Sequence, residues 1–485
     1  MLKITMKELK FREYTAYAIG FLTILFNLYF FIKGYLNEFF PAKDVLFIKE
    51  KVLITVFKEN TQILGDGIVK PILPYIVNLF IHNIPLLTAL ISTLLIFTMI
   101  FFLSKKPINL WQELTVVSLI ILNPLFFLTA FKNYIFTLTL LVFLVSLFSI
   151  YVFLYIKSRQ YVYLFLGSFL LGFTFLVDYR SIFATFGIIL ITIISDILKF
   201  LRYKKTLEIK RLWNIVLILL TPTLFFIFFY TFTNFLITER FVFDLYNRYL
   251  TLGFYPTEYF SNFFLSLTAT LKDMLKYWYL VLPSIVIPFL SRKKFFGVIH
   301  LISGVLFITG IYYFSGRVPV YYFLIFSLLP LISIVDTKNK YLSLKMNISI
   351  LSLALAFGFT LKEIDFKPFL QKDRELVDMY NASKVLKNLK GKIILDDKTL
   401  YPVVVFYGNV NNIIFPYQFD FVYFYANPKN SIDIIVINKK DKTDKFLKKF
   451  PTAKYGYLEG YYVLYENETV IIFKNINLSY SSTVN

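Results

Sequence analysis

The chain of 485 residues contains no cysteine. That excludes disulfides, thiolate metal sites, iron–sulfur clusters and cysteine nucleophiles. It has two histidines, His82 and His300, so no histidine cluster exists for metal or acid–base work. Charge is scarce, with Asp, Glu, Lys and Arg at 17%, against about a quarter in soluble domains. No Gly-rich phosphate loop is present, which argues against nucleotide-driven chemistry. What is abundant is apolar surface: 58% hydrophobic and 20% aromatic residues, with a mean hydropathy of +0.66. A single soluble globule cannot hide that much, and disorder is excluded for the same reason. The net charge of +21 suits nucleic acid, anionic lipid or membrane topology.

Hydrophobic runs of membrane-span length recur from Thr15 to about residue 361. The first follows the basic stretch Lys3, Lys7, Lys10 and Arg12 and lacks a small-residue cleavage site, so it reads as an anchor rather than a cleaved signal. Further spans are expected near 84–103, 112–130, 134–156, 161–177, 181–198, 213–237, 277–290, 295–314, 318–335 and 343–361, about 11 in all. The segment 68–83 is short and holds Pro71 and Pro74, which reads as re-entrant or interfacial.

Orientation follows from the lysines and arginines. With the N-terminus inside, the inner segments carry 20 Lys+Arg against 6 Asp+Glu, and the outer loops 13 against 10. The tail, 362–485, carries 18 against 14 and, after an odd number of spans, lies outside. Most of the +21 therefore records topology, and nucleic acid is not an expected partner. The fold class is an α-helical polytopic membrane protein, residues 1–361, followed by a small extracytoplasmic α/β domain, residues 362–485. In the tail the apolar runs shorten to strand length at Lys392–Leu395, Asn412–Phe415, Ile432–Ile437, Tyr461–Tyr465 and Val470–Phe473. Helical patterns occupy 370–389 and 441–450, and the last two strands read as a hairpin around Asn467. Asp396-Asp397 reads as a solvated turn.

Two outer loops are long, 34–70 and 238–276, and long ordered loops tend to be functional. In the first, Val45, Ile48, Val52 and Val56 form one stripe, with Lys49, Glu50, Lys51, Lys58 and Glu59 largely off it. That pattern fits an amphipathic helix in the membrane interface. Asp44 stands at its N-cap position, and capping alone would explain it. Lys70, before Pro71, is a snorkelling lysine or a phosphate ligand. Asp178 and Arg180 end a span and read as an interfacial ion pair or as acceptor-orienting groups. Arg248 sits in the second long loop within Tyr246-Asn247-Arg248-Tyr249 and can pair with Asp244. His300, within a span, reads as a packed residue. His82, near the outer face, suits packing or an acceptor contact. No ligand spacing calls for a metal or another cofactor.

An interfacial helix opening at an Asp, then Lys-Pro-apolar-apolar, a short helix and the next span resembles the integral-membrane glycosyltransferases of the GT-C superfamily. The closest match is the branch of protein O-mannosyltransferases and lipid A aminoarabinose transferases, glycosyltransferase families 39 and 83. Leu122-Asn123-Pro124 with the corner Lys132-Asn133 resembles that branch's second loop. Gly167 to Arg180, ending in Asp178-Tyr179-Arg180, resembles its Gly-rich span, and Gly316-Arg317-Val318-Pro319-Val320-Tyr321 its late outer turn. The resemblance implies inverting transfer from a polyprenyl-phosphate sugar to an acceptor hydroxyl of a lipid, glycan or protein at the outer face of the cell membrane. It implies Asp44 as general base, Lys70, Arg317, Tyr321 and Arg248 toward the donor phosphate, and Asp178, Arg180, Asn133 and His82 as acceptor or orienting groups. The sequence departs from the pattern at Val45, where the family commonly has Glu, and at Lys132-Asn133, where a second acid is frequent.

Two other classes remain open on the sequence. A lipid or glycan transporter would carry charge deep in its spans and two matching halves with broken helices. A non-catalytic membrane protein presenting its outer domain to a partner would not need Asp44 and the outer cations to converge.

Overall fold

The computed structural model describes residues 41–58, 72–104, 110–156, 160–202, 209–238, 262–290, 294–316, 318–330, 342–364 and 373–476, except Tyr417 and Phe419, together with six helical residues between Tyr14 and Tyr29. Among these, five helices are long and apolar enough to cross a bilayer, their apolar windows running Leu86–Leu103, Tyr134–Leu154, Tyr179–Leu198, Arg211–Thr233 and Met346–Glu363. Shorter apolar helices lie at Tyr161–Val177, Trp278–Pro288 and Val298–Phe314. Large apolar side chains such as Leu94, Phe101, Leu190 and Phe228 project outward from them. So continuous an apolar exterior is a lipid-facing one, and the chain is a multi-pass membrane protein.

The apolar stretch 112–130, expected as one span, is two helices, Leu110–Ile121 and Pro124–Lys132. Pro124 starts the second, where its missing N–H costs nothing, and Asn123 caps it by accepting from the Leu125 N–H at 2.9 Å. In the stretch 68–83 the described residues form the short helix Ile72–Phe80. Small residues let helices approach closely. A Cβ on Gly167 would meet Ile150, and one on Gly172 would meet Phe226 and the Pro222 carbonyl. Ser146 donates to the Gly167 carbonyl and Ser168 to the Leu219 carbonyl, each at 2.7 Å.

In the tail the five expected strands form one sheet in the order β2-β1-β3-β5-β4, with an additional helix, Asp397–Tyr407, that the sequence pattern does not indicate. The strands are β1 (Ile393–Leu395), β2 (Ile413–Ile414), β3 (Ile434–Asn438), β4 (Tyr461–Glu466) and β5 (Val470–Asn475). β1 pairs in parallel with β2 and β3, and β5 runs antiparallel to β3 and β4. Asn467 closes the final hairpin, its side-chain oxygen accepting from the Thr469 and Val470 N–H groups. Alternate residues point to opposite faces. Ile393, Leu395, Val436 and Ile472 face helices Arg374–Lys387 and Asp397–Tyr407, while Ile394, Ile435, Ile437 and Phe473 face Phe421, Phe446 and Ala453. Both faces are covered, which is why the strands read as unbroken apolar runs.

Helix Lys43–Phe57 joins the two parts. Its Val45, Ile48 and Val52 pack with Ile84, Leu87 and Tyr134 of the helical bundle, as the stripe predicts. The opposite side does not face water. Leu46 and Phe47 meet Leu376, Tyr401 and Phe406, and Leu53 and Ile54 enter the core beside the sheet. Val56 is exposed instead of completing the stripe. The helix is therefore clamped between bundle and sheet layer rather than resting on a lipid surface with its charges solvated.

Candidate active site

Four connections between helices meet at one end of the bundle. The Ala42 N–H donates to the Lys132 carbonyl at 2.8 Å, fixing the start of helix Lys43–Phe57 beside the corner at Asn133. That helix is capped at Ala42, so Asp44 lies in its first turn and not at the N-cap. A carboxylate there is favoured by the helix dipole. Its carboxylate is turned to a partner across the fold.

That partner is Arg180. Its Nη2 lies 3.6 Å from Asp44 Oδ2 and 2.7 Å from Asp178 Oδ2, and its Nε lies 2.8 Å from Asp178 Oδ1. The Asp178 carboxylate also accepts from the Arg180 backbone N–H at 3.1 Å. The Asp–Arg contact is thus a two-pronged fork of the kind that arginine forms best. Arg180 Nη2 also donates to the Tyr322 hydroxyl at 3.1 Å. The backbone turn that carries Arg180 is closely packed: a Cβ on Gly310 would sit 2.2 Å from the Arg180 carbonyl oxygen. Only glycine on the facing helix permits this approach.

Asn133 completes the cluster. It ends helix Pro124–Lys132 and caps helix Tyr134–Tyr151, its side-chain oxygen accepting from the Phe136 N–H at 3.2 Å. Its amide donates to the hydroxyls of Tyr321 at 3.4 Å and Tyr322 at 3.3 Å. The two phenol rings stack at 4.8 Å between centroids, behind Pro319, which precedes the 3-10 turn Val320–Leu324. Asp178 is sealed by its partner, with 3% of its side chain exposed, while Asp44 keeps 12%. Of the two carboxylates, Asp44 is the more exposed.

Five residues named from the sequence therefore come together: Asp44, Asn133, Asp178, Arg180 and Tyr321. His82 does not join them. It is exposed, its Nδ1 lies 3.0 Å from the Asn78 carbonyl oxygen, and its own carbonyl accepts from Lys49 Nζ at 2.6 Å. Lys70, Arg248 and Arg317 lie outside the described residues. Tyr322 was not foreseen; its one signal was its place beside Tyr321 after a proline. Among the described residues, no group of three His, Asp or Glu side chains is placed to hold a metal ion.

A second charged cluster lies further along the same helix. Lys51 Nζ is 2.8 Å from Asp397 Oδ2 and 3.3 Å from Glu50 Oε2. Glu50 and Asp397 are both buried, and Asp396 caps the helix that Asp397 begins. The Asp396-Asp397 pair is thus an interior junction, correcting the expected solvated turn. Burial raises the Glu50 carboxyl to about 8, against the pull of Lys51. Lys43 meets Glu375 at 2.5 Å, and Lys58 donates to the carbonyls of Val410 and Ile413. Positions 43, 47, 51, 54 and 58 follow helical spacing, so one stripe carries all three lysines to the sheet layer.

The architecture is a helical bundle, the Asp44-bearing helix Lys43–Phe57 and a small α/β unit at the end. The whole-chain match is to the crystal structure of ArnT from Cupriavidus metallidurans bound to undecaprenyl phosphate, at a TM-score of 0.51 and 10% identity, covering 96% of this chain and 98% of that one. The resemblance first read from short motifs thus extends to the fold along nearly the full length. No family model and no curated protein sequence matches the chain.

Proposed function

We propose that the protein is a glycosyltransferase that moves a sugar from a polyprenyl-phosphate donor to an acceptor hydroxyl at the outer membrane face. The observation that carries this reading is the meeting of Asp44 with Arg180 at 3.6 Å, in a cluster built from four separate connections. Transfer needs a base for the attacking hydroxyl and cations for the departing phosphate. In the proposed step the acceptor oxygen attacks the anomeric carbon and gives its proton to Asp44. The bond from that carbon to the phosphate oxygen breaks, its electron pair leaves with the lipid phosphate, and the configuration inverts.

Asp178, Tyr322 and Asn133 hold Arg180 and Tyr321 in place, so the site is organised before substrate arrives. Because Arg180 already faces two carboxylates, the phosphate is assigned to Lys70, Arg248 and Arg317, with Tyr321 at its edge. His82 and Asn133 remain proposed acceptor contacts. In this reading residues 1–361 form the catalytic transmembrane domain and 362–485 an extracytoplasmic domain. The fold supports it through ArnT, whose crystal structure holds undecaprenyl phosphate.

The test is incubation of the purified protein with polyprenyl-phosphate sugars and candidate lipid, glycan and protein acceptors, with the product identified by mass spectrometry. Transfer that is lost in Asp44→Asn supports the assignment. Full activity in that variant would sink it.

A further inference from the structure

The charge of the tail is unevenly placed. Residues 439–454 hold seven lysines against Asp441 and Asp444, whereas the rest of 362–485 holds 11 Lys+Arg against 12 Asp+Glu. Asp444 is buried, and burial raises its carboxyl to about 7, so at neutral pH it offsets only part of that charge.

The structure gathers four of these lysines around an open cavity of about 550 Å³, lined by Lys439, Lys440, Lys442, Lys454, Tyr455 and Glu468 among others. Lys439 pairs with Glu466 at 2.6 Å and Lys440 with Glu468 at 3.3 Å. Lys445 and Lys449, nearby in sequence, lie over the rings of Phe421 and Tyr425. Lys442 and Lys454 make no ion pair among the described residues. Beside them stands Tyr455, 85% exposed, on a short turn that ends at Gly456 in the left-handed region.

Phe446 and Ala453, under the floor of the groove, pack on Ile435, Ile437 and Phe473. That is the sheet face opposite the one covered by helix Asp397–Tyr407 and by Leu53 and Ile54 of the clamped helix. The groove therefore lies on the side of the sheet away from the clamped helix. An unpaired lysine pair next to an exposed phenol suits a chain that carries both anionic groups and sugar rings. The lysines attract the anions, and the electron-rich ring face accepts the C–H face of a pyranose.

We propose that this groove binds an anionic glycan chain, separately from the Asp44–Arg180 cluster. The full-length protein in detergent is titrated with labelled polygalacturonate, with neutral dextran, with polyglutamate and with anionic phosphatidylglycerol vesicles. Polygalacturonate is expected to bind and dextran not. The double variant Lys442→Glu/Lys454→Glu should weaken polygalacturonate by at least about tenfold, the scale of losing two exposed charge contacts. Tyr455→Ala should weaken polygalacturonate several-fold and leave polyglutamate unchanged. All three side chains are exposed, and an unchanged melting temperature controls for folding. Equal binding of polyglutamate and polygalacturonate with no effect of Tyr455→Ala would reduce the groove to a charged surface. Vesicle binding that disappears in the double variant would assign it to lipid instead. No polymer binding at all would end the proposal, and none of these outcomes touches the transfer reaction, which the same variants should retain.

Discussion

The Arg180 guanidinium stands between two carboxylates, with Asp178 held at 2.7 Å and Asp44 at 3.6 Å on the same nitrogen. The shorter contact is reinforced by a second prong and a backbone bond, so Asp178 serves as an anchor. The longer one leaves Asp44 oriented while still partly accessible. In the proposed reaction this asymmetry suits a base, whose carboxylate is held in a fixed direction and stays partly exposed.

Asp44→Asn keeps size and shape but cannot take a proton. Transfer should fall by about 10²–10⁴-fold, the range for loss of a general base. The melting temperature in detergent should change little. The measurement is the single-turnover rate beside a thermal melt.

Arg180→Ala leaves Asp178 buried without its cation. A broken buried pair costs about 3–5 kcal/mol, so this variant should melt well below the parent. Arg180→Lys keeps the charge but loses the fork to Asp178, and should keep part of the stability while losing transfer rate. If Arg180→Lys transferred sugar at the parent rate, the geometry of the fork would be irrelevant to the reaction.

Gly310→Ala tests the turn without touching a charged group. The added methyl would lie 2.2 Å from the Arg180 carbonyl oxygen, so the turn must shift. Both stability and activity should drop. Gly358→Ala is the matched control, since its Cβ meets nothing within 4 Å, and it should behave as the parent.

The pH dependence of stability should carry the mark of Glu50. Its carboxyl is raised from 4.5 to about 8 by burial, so between these values the unfolded chain has lost the proton and the folded one keeps it. Stability from this group is full below 4.5 and declines as pH rises toward 8. The amount is on the order of 5 kcal/mol. Glu50→Gln should flatten that decline, read from thermal melts between pH 5 and 8.5. An unchanged slope would mean that Glu50 ionises inside the fold.

Much of this fold could be read before it was seen, because period and length carry it. The strands stood out as short apolar runs, and the spans as long ones. Helix Asp397–Tyr407 escaped notice because Asp396-Asp397 and Pro402 look like turn chemistry, and Leu400 does break the helical backbone. The break at Asn123-Pro124 was hidden inside an apolar stretch long enough for one span. At the site, Asp44, Asn133, Asp178, Arg180 and Tyr321 were nameable from ordered motifs. The pairing of Lys51 with Asp397 was not, since local spacing says nothing about partners that meet only through folding.

Helix Lys43–Phe57 belongs to two cores at once, and this changes what the C-terminal unit is. A chain ending near residue 361 would uncover Leu46, Phe47, Leu53 and Ile54 and leave Lys43, Lys51 and Lys58 without their counterparts on the sheet side. The helix that starts beside Asp44 would then be gripped along one edge only. The last quarter of the sequence is thus the second jaw of a vice whose first jaw is the membrane bundle.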